Sequence, residues 1–351
     1  MRRSTGTMPD SLKLNVGEDA CRAELRQMIL GYQLSQCISV AAKLGIADLL
    51  HGRLRSADEL AEATGTNAAA LARFLRVLSS HRLLSVDRHG RFSLTPLGQL
   101  LRTDTGHSLW AAAVYWGEQW IWQPWGNLLN CLRTGAPAFD HMHGMSFFDF
   151  LTRFPDAGEV FDRFIAEGLH ARPAAVLNAC GFSRSNVIAD VGGGRGAMLA
   201  AILKARPAAH GILFDRPNVL ESARNQLADA GVIDRCAIVP GNFFEEVPRG
   251  ADTYVLSQII HDWDDERAIS ILKNCRAAMD ANSRLFVIEQ LLDVKSPEPA
   301  TALLDLTMLI VLWGKERTVD EYDLLFSQAN LKRLRIIPTA SPFSIVEAIP
   351  A

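Results

Sequence analysis

His261 stands in the run Tyr254-Val-Leu-Ser-Gln-Ile-Ile-His-Asp-Trp-Asp-Asp-Glu-Arg267, where an apolar strand-like stretch gives way to an acidic one that opens a helix. An imidazole at such a junction can take up a proton near neutral pH. Two acids stand further along the chain: Glu289 closes Val287-Ile-Glu-Gln290, and Glu316 lies in Gly314-Lys-Glu-Arg-Thr318. Carboxylates flanking one imidazole would orient it and raise its basicity, which are the needs of a general base. A lone histidine is more often structural. His261, however, falls just past the carboxyl end of a candidate sheet strand, where open α/β sheets place their ligands.

A second constellation precedes it. Val187-Ile-Ala-Asp-Val-Gly-Gly-Gly-Arg-Gly196 reads as a buried strand running into a glycine-rich turn, with a helix from Ala197 to Ala205. Glycines allow close approach of backbone to a ligand, and the helix N-terminus offers free N–H groups. A dinucleotide loop looks similar, but the G-G-G-x-G spacing of Gly192 to Gly196 departs from G-x-G-x-x-G. Asp190, just before the loop, can hold the loop or a cationic ligand group. The next strand ends at Asp215, about 20 residues after the loop, a position from which a carboxylate grips a ribose diol. Asp215 also reads as a helix cap ahead of Pro217, and the two roles can coexist.

To bring these groups together, the second half must be a layered α/β unit. Seven candidate strands are legible, at 187–191, 211–215, 237–240, 253–257, 284–289, 331–337 and 344–348. Helical patterns separate most of the first six, which is the signature of a parallel sheet. Only a short loop separates the last two, so they pair antiparallel. Before residue 180 the patterns are helical almost throughout. Ser56-Ala-Asp-Glu59 is a capping box, Thr66-Asn67 caps the next helix, and Leu83 to Leu94 reads as two short strands around His89-Gly90. Helices followed by such a hairpin form a winged-helix pattern. Its would-be recognition helix, Ala68 to Ser80, is mostly apolar, which suits protein packing better than DNA. The organisation expected is a dimerisation scaffold over 1–105, a helical connector over 106–180 where the two halves join, and an α/β domain carrying the glycine loop and His261 over 181–351.

Composition narrows the classes. A net charge of −3 in 351 residues gives no electrostatic reason to expect nucleic acid or an anionic membrane as partner. The longest apolar stretch, 303–313, is interrupted by Asp305 and is too short to span a bilayer, and no leader peptide is evident at the start. Six scattered cysteines with no C-x-x-C pair read as reduced thiols of a cytoplasmic protein, with neither zinc nor a disulfide framework.

Taken in order, DVGGGRG, GNFF, HDWDD, VIEQ and GKERT make the chain resemble the O-methyltransferases that include plant caffeic acid, acetylserotonin and bacterial natural-product enzymes. The likeness runs from Leu44-Gly-Ile-Ala-Asp-Leu-Leu50 and Leu94-Thr-Pro-Leu-Gly98 to Gly314-Lys-Glu-Arg-Thr318. The resemblance implies a homodimer with an N-terminal winged-helix-like dimerisation domain and a Rossmann-like domain binding S-adenosylmethionine. His261 would deprotonate the hydroxyl of a small aromatic acceptor between Glu289 and Glu316. Gly192, Asp215, Asn242, Phe243 and Ser257 fall at cofactor positions, and Asp190, Gly194, Arg216, Gly241 and Trp263 complete that expected set. Asp262 and Met308 fall at positions that line the acceptor pocket, joined by Trp116, Trp120, Phe148, Phe164 and Leu312. No metal is expected. Asn242 stands where many members carry Asp, and Ser257 where plant members often carry Lys, which points to a bacterial-type enzyme.

The aromatic and methionine-rich stretch from Trp110 to Phe150 reads first as packing, and as the wall of an acceptor pocket where the two halves join. The alternative activity is that of a family relative using the same cofactor for hydroxylation or decarboxylation of an aromatic polyketide.

Overall fold

The computed structural model describes residues 10–168 and 172–351. The chain divides into two compact units, Met1–Gln119 and Trp120–Ala351. Of the helices read as a connector, Trp110–Trp116 lies in the first unit, and those from Leu128–Thr134 to Arg172–Ala179 lie in the second.

In the first unit, local sequence signals set the element ends. Ser56 Oγ accepts the Glu59 N–H at 3.2 Å, while Glu59 Oε2 accepts the Ser56 N–H at 2.6 Å, a reciprocal cap for helix Ala57–Thr64. Asn67 Oδ1 accepts the Ala70 N–H at 3.0 Å and starts helix Ala68–Ser80. That helix buries Leu71, Leu75 and Leu78, one face at helical spacing, against Ile46, Leu50, Leu60 and Phe92. Its apolar stripe is thus taken up inside its own unit. Strands β1 (Leu84–Val86) and β2 (Phe92–Leu94) pair antiparallel, forming the wing. Asp87 Oδ1 closes the turn between them by accepting the His89 and Arg91 N–H groups.

The second unit is a seven-stranded sheet: β3 (Val187–Val191), β4 (His210–Asp215), β5 (Cys236–Pro240), β6 (Thr253–Ser257), β7 (Arg284–Gln290), β8 (Leu331–Pro338) and β9 (Phe343–Pro350). Their order is β5-β4-β3-β6-β7-β9-β8, parallel except for β9, which runs antiparallel to both neighbours. Alternate residues feed two cores. Ala189, Tyr254, Leu285 and Val287 join helices Asp265–Ala278 and Val319–Gln328, while Ile188, Val255, Phe286 and Ile288 join Ala197–Ala205 and Pro217–Asp229. Burial on both faces explains why the parallel strands read as continuous apolar runs. Strand order reverses between β3 and β6, so the carboxyl ends of β3, β4, β6 and β7 converge around one switch point. Asp190, Asp215, Ser257 and Glu289 all stand at or next to those ends.

Candidate active site

His261 is the middle residue of the 3-10 turn Ile260–Asp262, four residues beyond the end of β6. Its Nδ1 lies 2.7 Å from Glu316 Oε1, and its Nε2 lies 3.3 Å from Asp262 Oδ1. Both Glu316 and Glu289 are buried. Glu289 holds the turn more than it holds the ring. Its Oε1 accepts the N–H groups of Ile259, Ile260 and His261 at 3.1, 3.0 and 3.4 Å, and its Oε2 accepts from Gln258 Nε2 at 2.8 Å. The ring nitrogen Nδ1 is 4.0 Å from that carboxylate. Gln258 adopts φ +59°, a left-handed conformation uncommon for a non-glycine residue.

Gly314, Lys315, Glu316 and Arg317 close this turn from the other side. A Cβ at Gly314 would lie 1.9 Å from the His261 carbonyl oxygen, so only glycine fits. The Lys315 N–H donates to that carbonyl at 2.9 Å. Glu316 takes Nδ1, while its own N–H is accepted by Asp305 Oδ1 at 2.9 Å. The fully buried Arg317 donates to the carbonyls of Ile260 and Trp263 at 2.8 and 2.7 Å and to Asp265 at 2.8 Å. Thr318 caps helix Val319–Gln328.

Electrostatics follow from this crowding. Burial, the largest influence on His261, opposes the imidazolium, but Glu289, Asp262 and Glu316 together outweigh it and hold the pKa up at about 10. Burial pushes Asp262 up to about 7 against the pull of His261, and it raises Glu289 as well. The ligand-type atoms of His261, Glu289 and Glu316 lie within 4.8 Å of one another. Nδ1 and Glu316 Oε1 already face each other, and both Glu289 oxygens accept hydrogen bonds, so the set is built as a hydrogen-bonded network.

Across the switch point the polar groups are open. Gly192, Gly194 and Gly196 have φ of +71°, +58° and +82°. A Cβ at Gly193 would press within 2.7 Å of Asp190 Oδ2, so Asp190 lies directly beneath the loop. Its carboxylate is buried with neither oxygen hydrogen-bonded, and burial pushes its pKa up to about 7. Ser257 Oγ is likewise buried without a partner. Asp215 accepts the Gly194 N–H on Oδ2 at 2.8 Å and the Arg216 N–H on Oδ1 at 2.7 Å, tying the loop to β4. Arg216, not Asp215, is the N-cap of helix Pro217–Asp229, and it makes no side-chain cap.

The O-methyltransferase domain family matches residues 125–332, and the O-methyltransferase dimerisation domain matches residues 26–104. The chain belongs to the O-methyltransferase family. It is 43% identical to the phenazine O-methyltransferase PhzM of Lysobacter antibioticus, over 93% of this chain and 95% of that one. The solved structure of the mitomycin 7-O-methyltransferase MmcR superposes with a TM-score of 0.92 at 34% identity, covering 96% of this chain and all of that one. The neocarzinostatin-pathway O-methyltransferase NcsB1, solved with S-adenosylmethionine and 2-hydroxy-5-methyl naphthoic acid, gives a TM-score of 0.80 at 32% identity, over 91% and 96% of the two chains.

The methyltransferase's expected site residues fall into several groups. His261, Glu289, Glu316 and Asp262 meet in the network above. Trp263, its indole nitrogen buried and unpartnered, packs against Phe243 and Phe244, and Phe148 stacks on it at 6.0 Å. The Arg216 guanidinium lies 5.7 Å over the Phe148 ring, so Phe148 sits with residues expected at the cofactor. Asn242 Oδ1 accepts the Phe244 N–H at 3.0 Å, which shapes the loop after β5, and a Cβ at Gly241 would clash with the Phe214 ring. Met308 is buried one turn beyond Asp305 on helix Pro299–Val311, and Leu312 is buried just after it. Trp120 is 5.6 Å from Phe150 in a cluster with the buried Phe139 and Phe147; Phe164 is half-buried on helix Pro155–Gly168. Trp116 belongs to the first unit, edge-on to Tyr115.

Arg317, Gln258 and Asp305 also shape the site of this methyltransferase, and nothing in the chain's residue patterns marks them for it. A buried arginine beside a motif glutamate has no periodic signature, and a left-handed glutamine is invisible without the turn that imposes it.

Proposed function

We propose that the chain transfers a methyl group from S-adenosylmethionine to a hydroxyl of a small, flat aromatic acceptor, with His261 as general base. The observation that carries the assignment is the 2.7 Å Nδ1 contact with Glu316, which leaves Nε2 as the nitrogen for the acceptor's proton. The cofactor, when bound, supplies a methyl already activated on a sulfonium. The protein's tasks are then alignment and removal of one proton, with the O–C bond forming as the S–C bond breaks. A phenol has a pKa of about 10. Against burial, Glu289, Asp262 and Glu316 hold the imidazole at about 10, so the imidazolium is the resting form at neutral pH. The neutral ring is the active base, its strength matched to the phenol, and kcat is expected to rise with pH toward that value. Asp262 Oδ1, 3.3 Å from Nε2, faces the proton once it is there. An amine acceptor with a free lone pair needs no such base, which favours oxygen over nitrogen as the site of transfer.

Asp190, Ser257 and the glycine loop fit the cofactor: buried polar atoms without partners line the place where its polar end would lie. Aromatic acceptors of the phenazine and naphthoate type follow from the relatives. The reading extends to a homodimer working in the cytoplasm. It is supported by the dimerisation-domain match and by Leu25, Met28, Ile29 and Tyr32, which stand more than half exposed on the first two helices. No helix among the described residues is long and apolar enough to cross a membrane. Assays that follow S-adenosylhomocysteine release over a panel of phenols and hydroxynaphthoates test the activity. The His261→Ala variant is expected to lose roughly 10²–10⁴-fold in kcat with cofactor affinity unchanged. Near-full activity of that variant on an un-ionised phenol at neutral pH would remove the general-base role.

A further inference from the structure

Arg172, which no motif contains, lies on helix Arg172–Ala179 in the second unit. That helix packs on Ala197–Ala205, the helix that the glycine loop opens. Nε and Nη1 of Arg172 are shut off from solvent, and neither has a hydrogen-bond partner among the described residues. A guanidinium is rarely buried in this way unless it is paired. Its stem is fixed with the guanidinium 5.5 Å over the Phe343 ring, at the start of β9 and opposite Gln290 in register.

The charges that face Arg172 are those of Glu289 and Asp190, and it makes an ion pair with neither. Glu289 is not free to pair, because both its oxygens accept from the His261 turn and Gln258. Asp190 has both oxygens unpartnered beneath Gly193. A buried cation and a buried anion therefore stand unbonded at the same end of the parallel sheet, with the unpartnered Ser257 hydroxyl at the end of the strand beside β3. A zwitterion completes such an arrangement: its carboxylate needs N–H donors in a fork, and its ammonium needs acceptors.

We propose that Arg172 binds the carboxylate of the amino-acid end of the methyl donor, with Asp190 facing the ammonium. This rests on reading the chain as an S-adenosylmethionine enzyme. Arg172 lies next to no member of the His261 motif in sequence, so its role is to anchor the donor and not to take part in proton transfer.

Two ligands separate the possibilities by calorimetry without turnover. S-adenosylhomocysteine carries the amino-acid end, whereas 5′-methylthioadenosine keeps the nucleoside and thioether but lacks it. Arg172→Met is expected to weaken S-adenosylhomocysteine about 10- to 100-fold, the loss of a charge-assisted bond, and to leave methylthioadenosine unchanged. Arg172→Lys recovers part of the difference, since the charge stays and the fork is lost. Equal weakening of both ligands by Arg172→Met would overturn the proposal and make Arg172 a structural residue. Unchanged S-adenosylhomocysteine affinity with weakened binding of a hydroxynaphthoate would overturn it in favour of an acceptor carboxylate. If the wild-type chain bound neither nucleoside ligand, the reading of the cofactor itself would fall, a different result from either.

Discussion

The two halves of the site, on either side of the switch point, are finished to different degrees. Around His261 the polar groups are mostly satisfied inside the protein: Glu289 accepts from four donors, Arg317 reaches two carbonyls and Asp265, and Gly314 admits no side chain. Around the glycine loop, Asp190, Ser257 and Arg172 retain buried polar atoms with no partner. Unpaired buried polar groups cost stability. The contrast teaches that the half around His261 is built as a closed network, whereas the half around the glycine loop keeps buried polar groups without partners.

The largest effect that would break this contrast is at Arg317. Arg317→Ala leaves the Trp263 carbonyl without its side-chain donor and takes donors from the Ile260 carbonyl and from Asp265, and is expected to destabilise the second unit by about 3–5 kcal/mol in urea unfolding. A loss under 1 kcal/mol would mean the turn does not depend on the clamp. On the donor side, Asp215→Ala is expected to weaken S-adenosylhomocysteine by about 2–3 kcal/mol in calorimetry, through loss of two charge-assisted bonds to the ribose, with a much smaller change in apo stability. An unchanged affinity would leave Asp215 only its tie to Gly194. At equal concentration a donor analogue is expected to raise stability more than an aromatic acceptor alone, since it binds the apo protein more tightly; at a hundredfold excess over its Kd the gain is about 2.7 kcal/mol.

The pH dependence sharpens the other half. His261 is held at about 10 against about 6.5 in the unfolded chain, so folding favours the imidazolium. Its contribution to stability is full below about 6.5 and is lost as pH rises to about 10. The stability difference between wild type and His261→Gln is therefore expected to shrink across that window; a flat difference would mean the ring is neutral throughout. The smallest effect is the most direct. Amide hydrogen exchange with S-adenosylhomocysteine bound is expected to slow at 192–196 and 242–244, and to leave 259–261, already held by Glu289, unchanged.

Much of this molecule is local. The capping boxes at Ser56 and Thr318, the glycine loop and the seven apolar strand runs each depend on residues within a few positions, through hydrogen-bond reach, positive φ and side-chain period. For that reason strand limits read from the chain fall within a residue or two of those observed, and the short loop between β8 and β9 already requires an antiparallel pair. The sequence also names His261, Glu289 and Glu316, because types and motif order mark them. What it cannot assign is their division of labour. Glu289 and Glu316 are equivalent as letters, yet one binds backbone N–H groups and the other the imidazole. That difference arises because β7 ends beneath the turn while Gly314-Lys-Glu-Arg-Thr318 approaches from outside the sheet, contacts made across 28 and 55 residues. The burial of Arg317 and Arg172, the left-handed Gln258 and the unpaired Asp190 are likewise decided only by packing. Desolvation and the presence or absence of a partner are properties of the surroundings, and those exist only once the strands are in register.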